Sequence, residues 1–171
     1  ILRIERFEIY RNDLDHILRH YQKDGVAFLA HRYSLGISSI LADDMGLGKT
    51  LMAIAFLTFL HAEHKGTSLV LCPSSLVFNW ENEVKRFAPG LTAAVLAGSP
   101  NERAERIAAG ADILITSYAA MVNDIAHHRE KRYRALVLDE AQQIKNIESQ
   151  RSRLVRDIEA DVRLALTGTP I

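Results

Sequence analysis

The sequence predicts an α/β fold in which a parallel sheet lies between two layers of helices. Short apolar runs rich in branched residues alternate along the chain with longer segments whose apolar residues recur at helical spacing. The short runs are apolar throughout, as in Leu69-Val70-Leu71 and Leu136-Val137-Leu138, which indicates strands covered by helices on both faces. With 171 residues, 48% of them apolar, the chain is long enough to build one such core.

Six strands and the helices between them follow from these patterns. The strands are predicted over residues 37–42, 68–73, 92–97, 112–116, 135–139 and 162–166. The helices are predicted over residues 14–33 and 48–64, between Ser74 and Pro89, between Ser99 and Gly110, and over residues 117–123 and 147–158. Residues 1–13 are expected to form an extension or linker, and residues 14–171 are expected to form a single lobe.

The helices carry further expectations about burial and capping. The first helix is predicted to bury a stripe made of Leu14, Ile17, Leu18, Tyr21, Gly25, Phe28 and Leu29. Gln22 lies at the edge of this stripe, where a surface glutamine is the default. Ser99 and Glu102 form a capping box, and the serines at positions 74, 75 and 117 are candidate N-caps.

Composition and charge exclude several classes of protein. Lysine and arginine, 21 in all, balance 21 aspartates and glutamates, so any contact with nucleic acid must be local. The single cysteine, Cys72, excludes a disulfide framework and lies in an apolar run, where a small buried hydrophobe is expected. No apolar run reaches the roughly 20 residues that span a bilayer, and no signal peptide is visible. We expect an intracellular protein, in the cytoplasm or nucleoid if bacterial and in the nucleus if eukaryotic.

The first candidate site follows the first predicted strand. The stretch Asp43-Asp44-Met45-Gly46-Leu47-Gly48-Lys49-Thr50 leads from that strand into a long apolar helix, which is the context of a phosphate-binding loop. Gly46 and Gly48 let backbone N–H groups turn inward toward an anion. Lys49 can reach the outer phosphates of a nucleotide, and the Thr50 hydroxyl can ligate Mg²⁺. The aspartate at the first position departs from the general pattern, which has glycine there, so a strand-to-helix turn with a solvated lysine remains an alternative.

The second candidate site follows the fifth predicted strand. Asp139 and Glu140 are the first polar residues after that strand. The first carboxylate can hold Mg²⁺, directly or through water, and the second can polarise an attacking water. The competing interpretation is that both acids cap the next helix, but the glycine loop upstream weighs against it. Ligands of such sheets bind at the carboxyl ends of the strands, so we expect both sites and Thr167-Gly168-Thr169 to converge on one edge.

Gln142 is a candidate link between these groups. A glutamine side chain both donates and accepts hydrogen bonds, so it can join the carboxylates to a neighbouring loop. Thr167 and Thr169 are its natural partners. The alternative is a solvated helix residue.

Two more strand ends carry residues suited to the phosphates of nucleic acid. Residues 73–80 and 116–118 combine hydroxyls, an asparagine and helix N-terminal N–H groups. Helix capping by the serines, with Trp80 in the core, is the interpretation that these residues alone favour. The basic run over 127–134 is likewise expected to be a solvated loop rather than a binding patch. The histidines show no metal-ligand spacing, so no zinc site is proposed.

The motifs and their order resemble a known family. They are Leu18-Arg19-His20-Tyr21-Gln22-Lys23-Asp24-Gly25-Val26, residues 42–50, residues 71–76 with Asn79-Trp80, residues 115–118, Asp139-Glu140-Ala141-Gln142-Gln143-Ile144-Lys145-Asn146 and residues 166–170. Over residues 18–171 they resemble the first RecA-like lobe of a Swi/Snf-type ATPase, in helicase superfamily two. This family commonly has aspartate where Asp43 stands, so the aspartate in place of the usual glycine agrees with the resemblance. Gln142 replaces the commoner histidine.

The resemblance implies ATP and Mg²⁺ as cofactors. Gln22 is implied to read the adenine edge. Nucleotide binding is implied for Gly46, Leu47, Gly48, Lys49 and Thr50, catalysis for Lys49, Asp139 and Glu140, and a role toward Mg²⁺ for Thr50 and Asp139. We expect Asp43 and Asp44 to point away from the phosphates.

The resemblance also implies double-stranded DNA as a partner. The DNA track would include Pro73, Ser74, Thr116 and Ser117. Gln142, Thr167, Gly168 and Thr169 would couple the state of the bound nucleotide to DNA binding. In this family the strand at 162–166 is expected between the strands at 37–42 and 135–139.

A second RecA-like lobe, which supplies arginine fingers, is further implied and is not among these 171 residues. We therefore expect this chain to bind nucleotide weakly and to hydrolyse it negligibly, since loss of an arginine finger can cost about 10³–10⁵ in rate. The leading expectation is an ATP-driven translocase on double-stranded DNA that remodels DNA-bound proteins. The alternatives are a strand-separating helicase or restriction-type motor of the same superfamily, and a docking lobe that senses nucleotide without catalysis.

Overall fold

The structure, a computed structural model, describes residues 14, 16–36, 38–42, 48–144 and 149–168. The strands are β1 (Ser39–Ala42), β2 (Ser68–Cys72), β3 (Ala93–Val95), β4 (Ile113–Ser117), β5 (Arg132–Leu138) and β6 (Glu159–Thr167). The helices are α1 (His20–Ser34), α2 (Lys49–Glu63), α3 (Val77–Phe87), α4 (Pro100–Ala109), α5 (Tyr118–Asn123), α6 (Ile125–Arg129) and α7 (Gln150–Asp157). Short 3₁₀ turns cover Ser74–Leu76 and Ala141–Ile144.

The strands form one parallel sheet, in the order β1-β6-β5-β2-β4-β3. Strand β6 lies between β1 and β5, with Leu41 opposite Leu166 and Leu138 opposite Ala165. The predicted fold class is confirmed, and so is the position of the last strand that the family resemblance implies.

Helices cover the sheet on both faces. One core cluster joins β-strand residues such as Val70 and Val137 to α1, α2 and α3, and it contains the fully buried Phe56 and Trp80. The other joins alternate strand residues such as Leu136 to α4, α5 and α7. Because both faces are buried, the strands need apolar residues at consecutive positions, which is the pattern seen in the sequence.

The first helix differs from its prediction in both start and buried face. It begins at His20 rather than at residue 14. Tyr21 and Phe28, predicted to be buried, are 48% and 44% exposed. Most of its buried side chains are smaller, namely Val26, Ala27, Leu29 and Ala30, and a Cβ added at Gly25 would lie only 2.8 Å from Met52 Sδ. The helix therefore uses its small side chains to approach α2 closely, and the large ones are left outside.

The basic run over 127–134 is not a solvated loop. It forms the end of α6 and the start of β5, and both His128 and Tyr133 are fully buried. The Tyr133 hydroxyl lies 2.6 Å from His128 Nδ1. Arg132 and Arg134 of this run both donate to the Asp161 carboxylate, at 2.8 and 2.6 Å. Arg132 and Arg134 are thus paired with a carboxylate on the neighbouring strand, which a linear charge pattern does not reveal.

Other element ends shift by a few residues. Strand β6 begins at Glu159, earlier than predicted, whereas β3 is limited to Ala93–Val95 and α7 begins at Gln150. The predicted capping box is present, with Ser99 Oγ accepting the Glu102 N–H at 3.2 Å. No helix in the described part of the chain is both long and apolar enough to cross a membrane.

The cap predicted at Ser74 or Ser75 is wrong. A 3₁₀ turn lies between these serines and α3, and the Leu76 N–H donates to the Pro73 carbonyl at 2.9 Å. The turn thus supplies a main-chain acceptor for the Leu76 N–H, so no serine side chain is needed to accept it.

Candidate nucleotide-binding site

Three adjacent strands deliver residues to one place at the carboxyl edge of the sheet. Strands β1, β6 and β5 are parallel neighbours, so the residues that follow them emerge together. Lys49 begins α2 and is 9% exposed, and a Cβ placed on Gly168 would lie 3.4 Å from Lys49 Nζ. Asp139 is close enough to Lys49 for the lysine charge to act on its pKa. Lys49, Asp139 and Gly168 therefore come together, while Gly46, Leu47, Thr169, Asp43 and Asp44 lie outside the described residues.

Gly48 is the residue that turns the chain into α2. Its φ of +89° lies in the left-handed region, which glycine adopts without strain. A Cβ at this position would overlap the Gln22 side-chain amide. Gln22 is 5% exposed, and its Oε1 accepts the Arg19 N–H at 2.9 Å. The expected surface position of Gln22 is thus wrong. The hydrogen bond from Arg19, at the N-terminus of α1, keeps its side chain against Gly48 at the start of α2.

Asp139 is the most enclosed carboxylate of the site. It is 8% exposed, and each oxygen accepts one donor: Oδ2 takes the Trp80 indole N–H at 2.8 Å, and Oδ1 takes the Glu140 N–H at 2.9 Å. Burial raises the pKa of this carboxyl above its ordinary value, although the Trp80 and Glu140 N–H groups and the Lys49 charge oppose the rise. Each oxygen keeps a further lone pair for another ligand.

Glu140, Gln142 and Thr167 form a chain of hydrogen bonds beside Asp139. Glu140 has a φ of +50°, unusual for a residue with a side chain. Its carboxylate accepts a hydrogen bond from Gln142 Nε2, and Gln142 Oε1 accepts the Thr167 hydroxyl at 2.9 Å. The Gln142 amide nitrogen thus bonds Glu140, which follows β5, and its oxygen bonds Thr167 of β6. The expected link between the carboxylates and the last strand is present as this pair of hydrogen bonds.

The residues present fit a divalent cation held mainly by a nucleotide. Asp139 offers hard oxygen atoms, and Thr50 carries its hydroxyl in the first turn of α2. No group of three or more His, Cys, Asp or Glu in the described part of the chain could hold a metal ion alone. Mg²⁺ keeps several waters and commonly takes one or two protein ligands plus phosphate oxygens, which matches so sparse a set.

The four residues assigned to a DNA track lie on the same edge of the sheet. They follow β2 and β4, which are neighbours, with Cys72 opposite Ser117. Ser74 is exposed, and Pro73 and Ser117 are half-buried. The Ser117 hydroxyl accepts the Ala120 N–H at 3.1 Å, as the capping interpretation predicts.

Thr116 does not fit a direct contact. Its side chain is fully buried, and its hydroxyl has no hydrogen-bond partner. It lies within β4, opposite Leu71, so the sheet and its helices enclose it. A contact of Thr116 with DNA would therefore involve its main chain and not its side chain.

Two aromatic side chains contact Asp139 in a way that the sequence does not predict. Trp80 lies in the core, as predicted, but its buried indole also donates to Asp139. The Tyr118 hydroxyl donates to the main-chain carbonyl of Asp139 at 2.7 Å. Burial raises the pKa of Tyr118 far above its ordinary value, and the charge of Asp139 adds to this effect, so the hydroxyl keeps its proton. The available signal was that a buried Trp or Tyr usually needs a partner for its polar atom.

Cys72 is the small buried residue that the sequence predicts. It is fully buried, and its thiol lies 3.8 Å from the Thr116 carbonyl. Burial, followed by the charge of Asp139, raises the pKa of this thiol to about 12. The thiol is therefore protonated at neutral pH and takes no part in nucleophilic chemistry.

Comparison with known proteins agrees with this geometry. A model of the SNF2-related domain matches residues 21–171. Helicase SWR1 of Debaryomyces hansenii is 43% identical over 161 residues, which is 90% of this chain and 10% of that protein. Helicase SWR1 of Saccharomyces cerevisiae is 41% identical over 161 residues, which is 90% of this chain and 11% of that protein. The chain thus spans about a tenth of the length of these curated relatives.

A solved structure shows the same fold. The SWI2/SNF2 ATPase core of Sulfolobus solfataricus in complex with dsDNA matches with a TM-score of 0.87 and 38% identity, over 97% of this chain and 34% of that chain. The fold of this solved structure and the domain model agree. The chain therefore belongs to the SNF2-related domain family.

Proposed function

We propose that this chain is the first RecA-like lobe of an ATP-dependent translocase on double-stranded DNA, which uses ATP hydrolysis to remodel protein–DNA complexes. The observation that carries the proposal is the convergence of Lys49, Asp139 and Gly168 at the ends of three adjacent strands. Family membership supports ATP as the nucleotide. The structural match to an ATPase core in complex with dsDNA supports double-stranded DNA as the partner.

In this proposal the start of α2 binds the nucleotide phosphates. The helix N-terminus supplies N–H donors, and Lys49 adds a positive charge for the outer phosphates. Gly46 and Leu47 belong to the same loop. Gln22 contacts the adenine edge, and the Arg19 N–H, which is bonded to its oxygen, fixes its orientation. Thr50 and Asp139 would hold Mg²⁺, which would supply positive charge beside the phosphates.

Glu140 is the residue proposed to orient the attacking water. Phosphoryl transfer demands positioning and charge stabilisation more than covalent chemistry from the protein. Gln142 holds the Glu140 carboxylate and joins it to Thr167 on the neighbouring strand. A movement of the segment from Thr167 to Thr169 would therefore change the orientation of the Glu140 carboxylate. This is the proposed route of coupling, which also involves Gly168 because it adjoins Lys49.

The DNA track is proposed to run along the ends of β2 and β4. Pro73, Ser74 and Ser117 are accessible there and suit contacts to phosphate oxygens, which position a protein without reading sequence. Thr116 supports this segment from inside the sheet. A protein with such a track acts where DNA is held, in a nucleus or a nucleoid.

A second lobe completes the site in this proposal. The match covers 34% of the solved ATPase core, which is consistent with one lobe of two. Without the arginine fingers of that lobe, we expect these 171 residues to bind ATP weakly and to lose about 10³–10⁵ in hydrolysis rate.

The proposal is tested by the ATPase activity of the whole protein with double- and single-stranded DNA. We expect stimulation by duplex DNA and no separation of strands. Strand separation would favour a helicase of the same superfamily instead. A whole protein that binds ATP but does not hydrolyse it with any DNA would favour a docking lobe. Robust DNA-stimulated turnover by the 171-residue chain would refute the need for a second lobe.

A further inference from the structure

Asp139 is held from the helix layer that contains α3. Trp80, one turn into that helix, is 1% exposed and donates its indole N–H to Asp139 Oδ2 at 2.8 Å. A buried indole N–H without an acceptor is destabilising, so this bond fixes both partners. The rest of the indole packs in the cluster formed by α1, α2 and α3. Trp80 thus ties the position of α3 to one carboxylate oxygen.

The same residue is held from the opposite face of the sheet. Tyr118 belongs to the cluster formed by α4, α5 and α7, and it is 2% exposed. Its hydroxyl donates to the Asp139 main-chain carbonyl at 2.7 Å. One anchor therefore acts on the side chain of Asp139 and the other on its backbone.

Both anchors belong to segments that begin at the proposed DNA track. The 3₁₀ turn Ser74–Leu76 leads directly into α3, which carries Trp80. Tyr118 is the first residue of α5, immediately after Ser117. Each accessible serine is thus followed, within about two helical turns, by an aromatic residue that reaches Asp139.

We propose that Trp80 and Tyr118 are positioning residues that transmit contact with DNA at the ends of β2 and β4 to Asp139, from opposite faces of the sheet. The inference rests on the proposed function and adds two residues to it. A displacement of either serine segment by a DNA phosphate moves an aromatic side chain whose polar atom is bonded to Asp139. The orientation of this carboxylate, and with it the affinity for Mg²⁺ bound with nucleotide, then depends on whether DNA is present.

The matched substitutions are Trp80→Phe and Tyr118→Phe, with Tyr133→Phe as the control. Tyr118→Phe removes one oxygen and leaves the ring in place. Tyr133 is also a fully buried tyrosine with a bonded hydroxyl, but it lies six residues before Asp139 along β5, or about 20 Å away. All three lose an aromatic hydrogen bond, and only the first two lose it at Asp139.

The first measurement is the binding of a fluorescent ATP analogue to the whole protein across a Mg²⁺ titration, with and without duplex DNA. We expect DNA to lower the Mg²⁺ concentration for half-saturation in the parent protein and in Tyr133→Phe. In Trp80→Phe and Tyr118→Phe we expect that concentration to rise about tenfold and to respond less to DNA, since partners of metal-binding carboxylates typically contribute 10- to 100-fold. DNA affinity measured without nucleotide should stay the same in all variants, because the coupling that they weaken acts only when nucleotide is bound.

The outcomes separate the two proposals. If the parent protein shows no DNA-stimulated ATPase activity, the proposed function fails. If it is stimulated but both Asp139-anchor variants behave like Tyr133→Phe, the positioning role fails and the function stands. If Trp80→Phe does not fold, Tyr118→Phe alone decides, because it preserves the packing of the ring.

A second measurement uses Trp80 itself, which is the single tryptophan of these 171 residues. Its indole is bonded to Asp139, so a DNA-induced displacement should change its fluorescence emission. In the whole protein, with any tryptophan outside these residues replaced by phenylalanine, we expect duplex DNA to shift the emission, and Ser74→Ala combined with Ser117→Ala to reduce that shift. Unchanged emission with saturating DNA would contradict the proposed transmission.

Discussion

The two edges of the sheet hold their carboxylates in different ways. At the amino edge, Asp161 accepts from two arginines, Arg132 at 2.8 Å and Arg134 at 2.6 Å. At the carboxyl edge, Asp139 instead accepts neutral N–H donors, from Trp80 and from the Glu140 backbone. An arginine neutralises a carboxylate and occupies two acceptor positions, whereas a neutral N–H orients it and leaves its charge for a cation.

The comparison extends to backbone conformation. At the carboxyl edge, Glu140 adopts a φ of +50° and Gly48 lies against Gln22. At the amino edge, Gly36, just before β1, also has a positive φ of +68°, but nothing lies within 4 Å of the position a Cβ would take. Crowded and unusual backbone is thus present at the candidate site, where geometry can serve a ligand, and also at Gly98, where Glu102 of the capping box is the neighbour.

The largest difference should follow from removing one carboxylate at each edge. In the whole protein, Glu140→Gln should lower DNA-stimulated ATPase activity by about 10²–10⁴-fold, because a positioned base or water-orienting group contributes that much. Glu159→Gln is the matched control, since Glu159 is exposed and lies 3.9 Å from Arg132. Steady-state hydrolysis measures both. An unchanged rate in Glu140→Gln would mean that Glu140 does not orient the water, and would favour a docking lobe.

The next largest effect should separate the two positive-φ glycines. Gly36→Ala should cost about 1–2 kcal/mol of unfolding free energy, because only backbone strain is added. Gly48→Ala should cost about 2–5 kcal/mol, since overlap with Gln22 adds to the strain. Urea unfolding of both variants measures the difference. Equal losses would show that Gln22 moves away without cost, and its close placement against the loop would then have no energetic meaning.

A pH-dependent effect should arise at the amino edge. His128 is fully buried beside Tyr133, and burial lowers its pKa to about 4, with Asp124 opposing the shift and His127 adding to it. The unfolded chain binds the proton near pH 6.5 and the folded chain does not, so stability is complete above that pH. As the pH falls from 6.5 to 4, up to about 3 kcal/mol should be lost.

Two histidine variants isolate this contribution from that of the carboxylates. His128→Gln should flatten the decline of unfolding free energy between pH 6.5 and 4, whereas the exposed His127 can be replaced by glutamine with little change. The measurement is urea unfolding at several pH values. Parallel curves for the two variants would contradict a neutral buried His128.

The smallest effect should come from an exposed ion pair at the amino edge. Arg129 and Asp157 approach to 2.6 Å, but both side chains are 48% exposed. Asp157→Asn should cost at most about 0.5–1 kcal/mol, and this cost should shrink in high salt. Chemical unfolding at low and high ionic strength measures it. A loss that salt does not reduce would show that the pair is more than a screened surface contact.

Most of the fold could be predicted from the sequence because the signal is local. The apolar runs of β2, β4 and β5 are buried on both faces, so period and composition identify them without knowledge of their neighbours. Burial on α1 could not be predicted in the same way. Its large residues Tyr21 and Phe28 are exposed, because α1 packs closely on α2 through small side chains. The sequence of a single helix does not determine its distance from the next helix.

In the candidate site, too, features set by local sequence could be predicted and those set by distant residues could not. The common placement of Lys49, Asp139 and Glu140 could be predicted, because Asp139 and Glu140 stand directly after β5, Lys49 begins the helix that follows β1, and parallel strands bring their ends together. The Trp80–Asp139 bond could not, since the two residues are 59 positions apart and any nearby acceptor would satisfy the indole. The burial of Gln22 was missed for a related reason: helical spacing marked it as an edge residue, and Gly48 closes over it from another part of the chain.

The place of β6 in the sheet has a consequence for how the chain folds during synthesis. Strand β1, near the beginning, pairs with β6, near the end, and β6 also pairs with β5. Until the ribosome has released residues 159–167, β1 lacks the neighbour it has in the finished sheet, whereas β2, β4 and β5 can already pair with one another. Lys49, which follows β1, is thus brought to Asp139 last, by the contact of longest sequence separation, which is the slow kind to form. A nascent chain should gain its β2–β4 half well before it can hold a nucleotide.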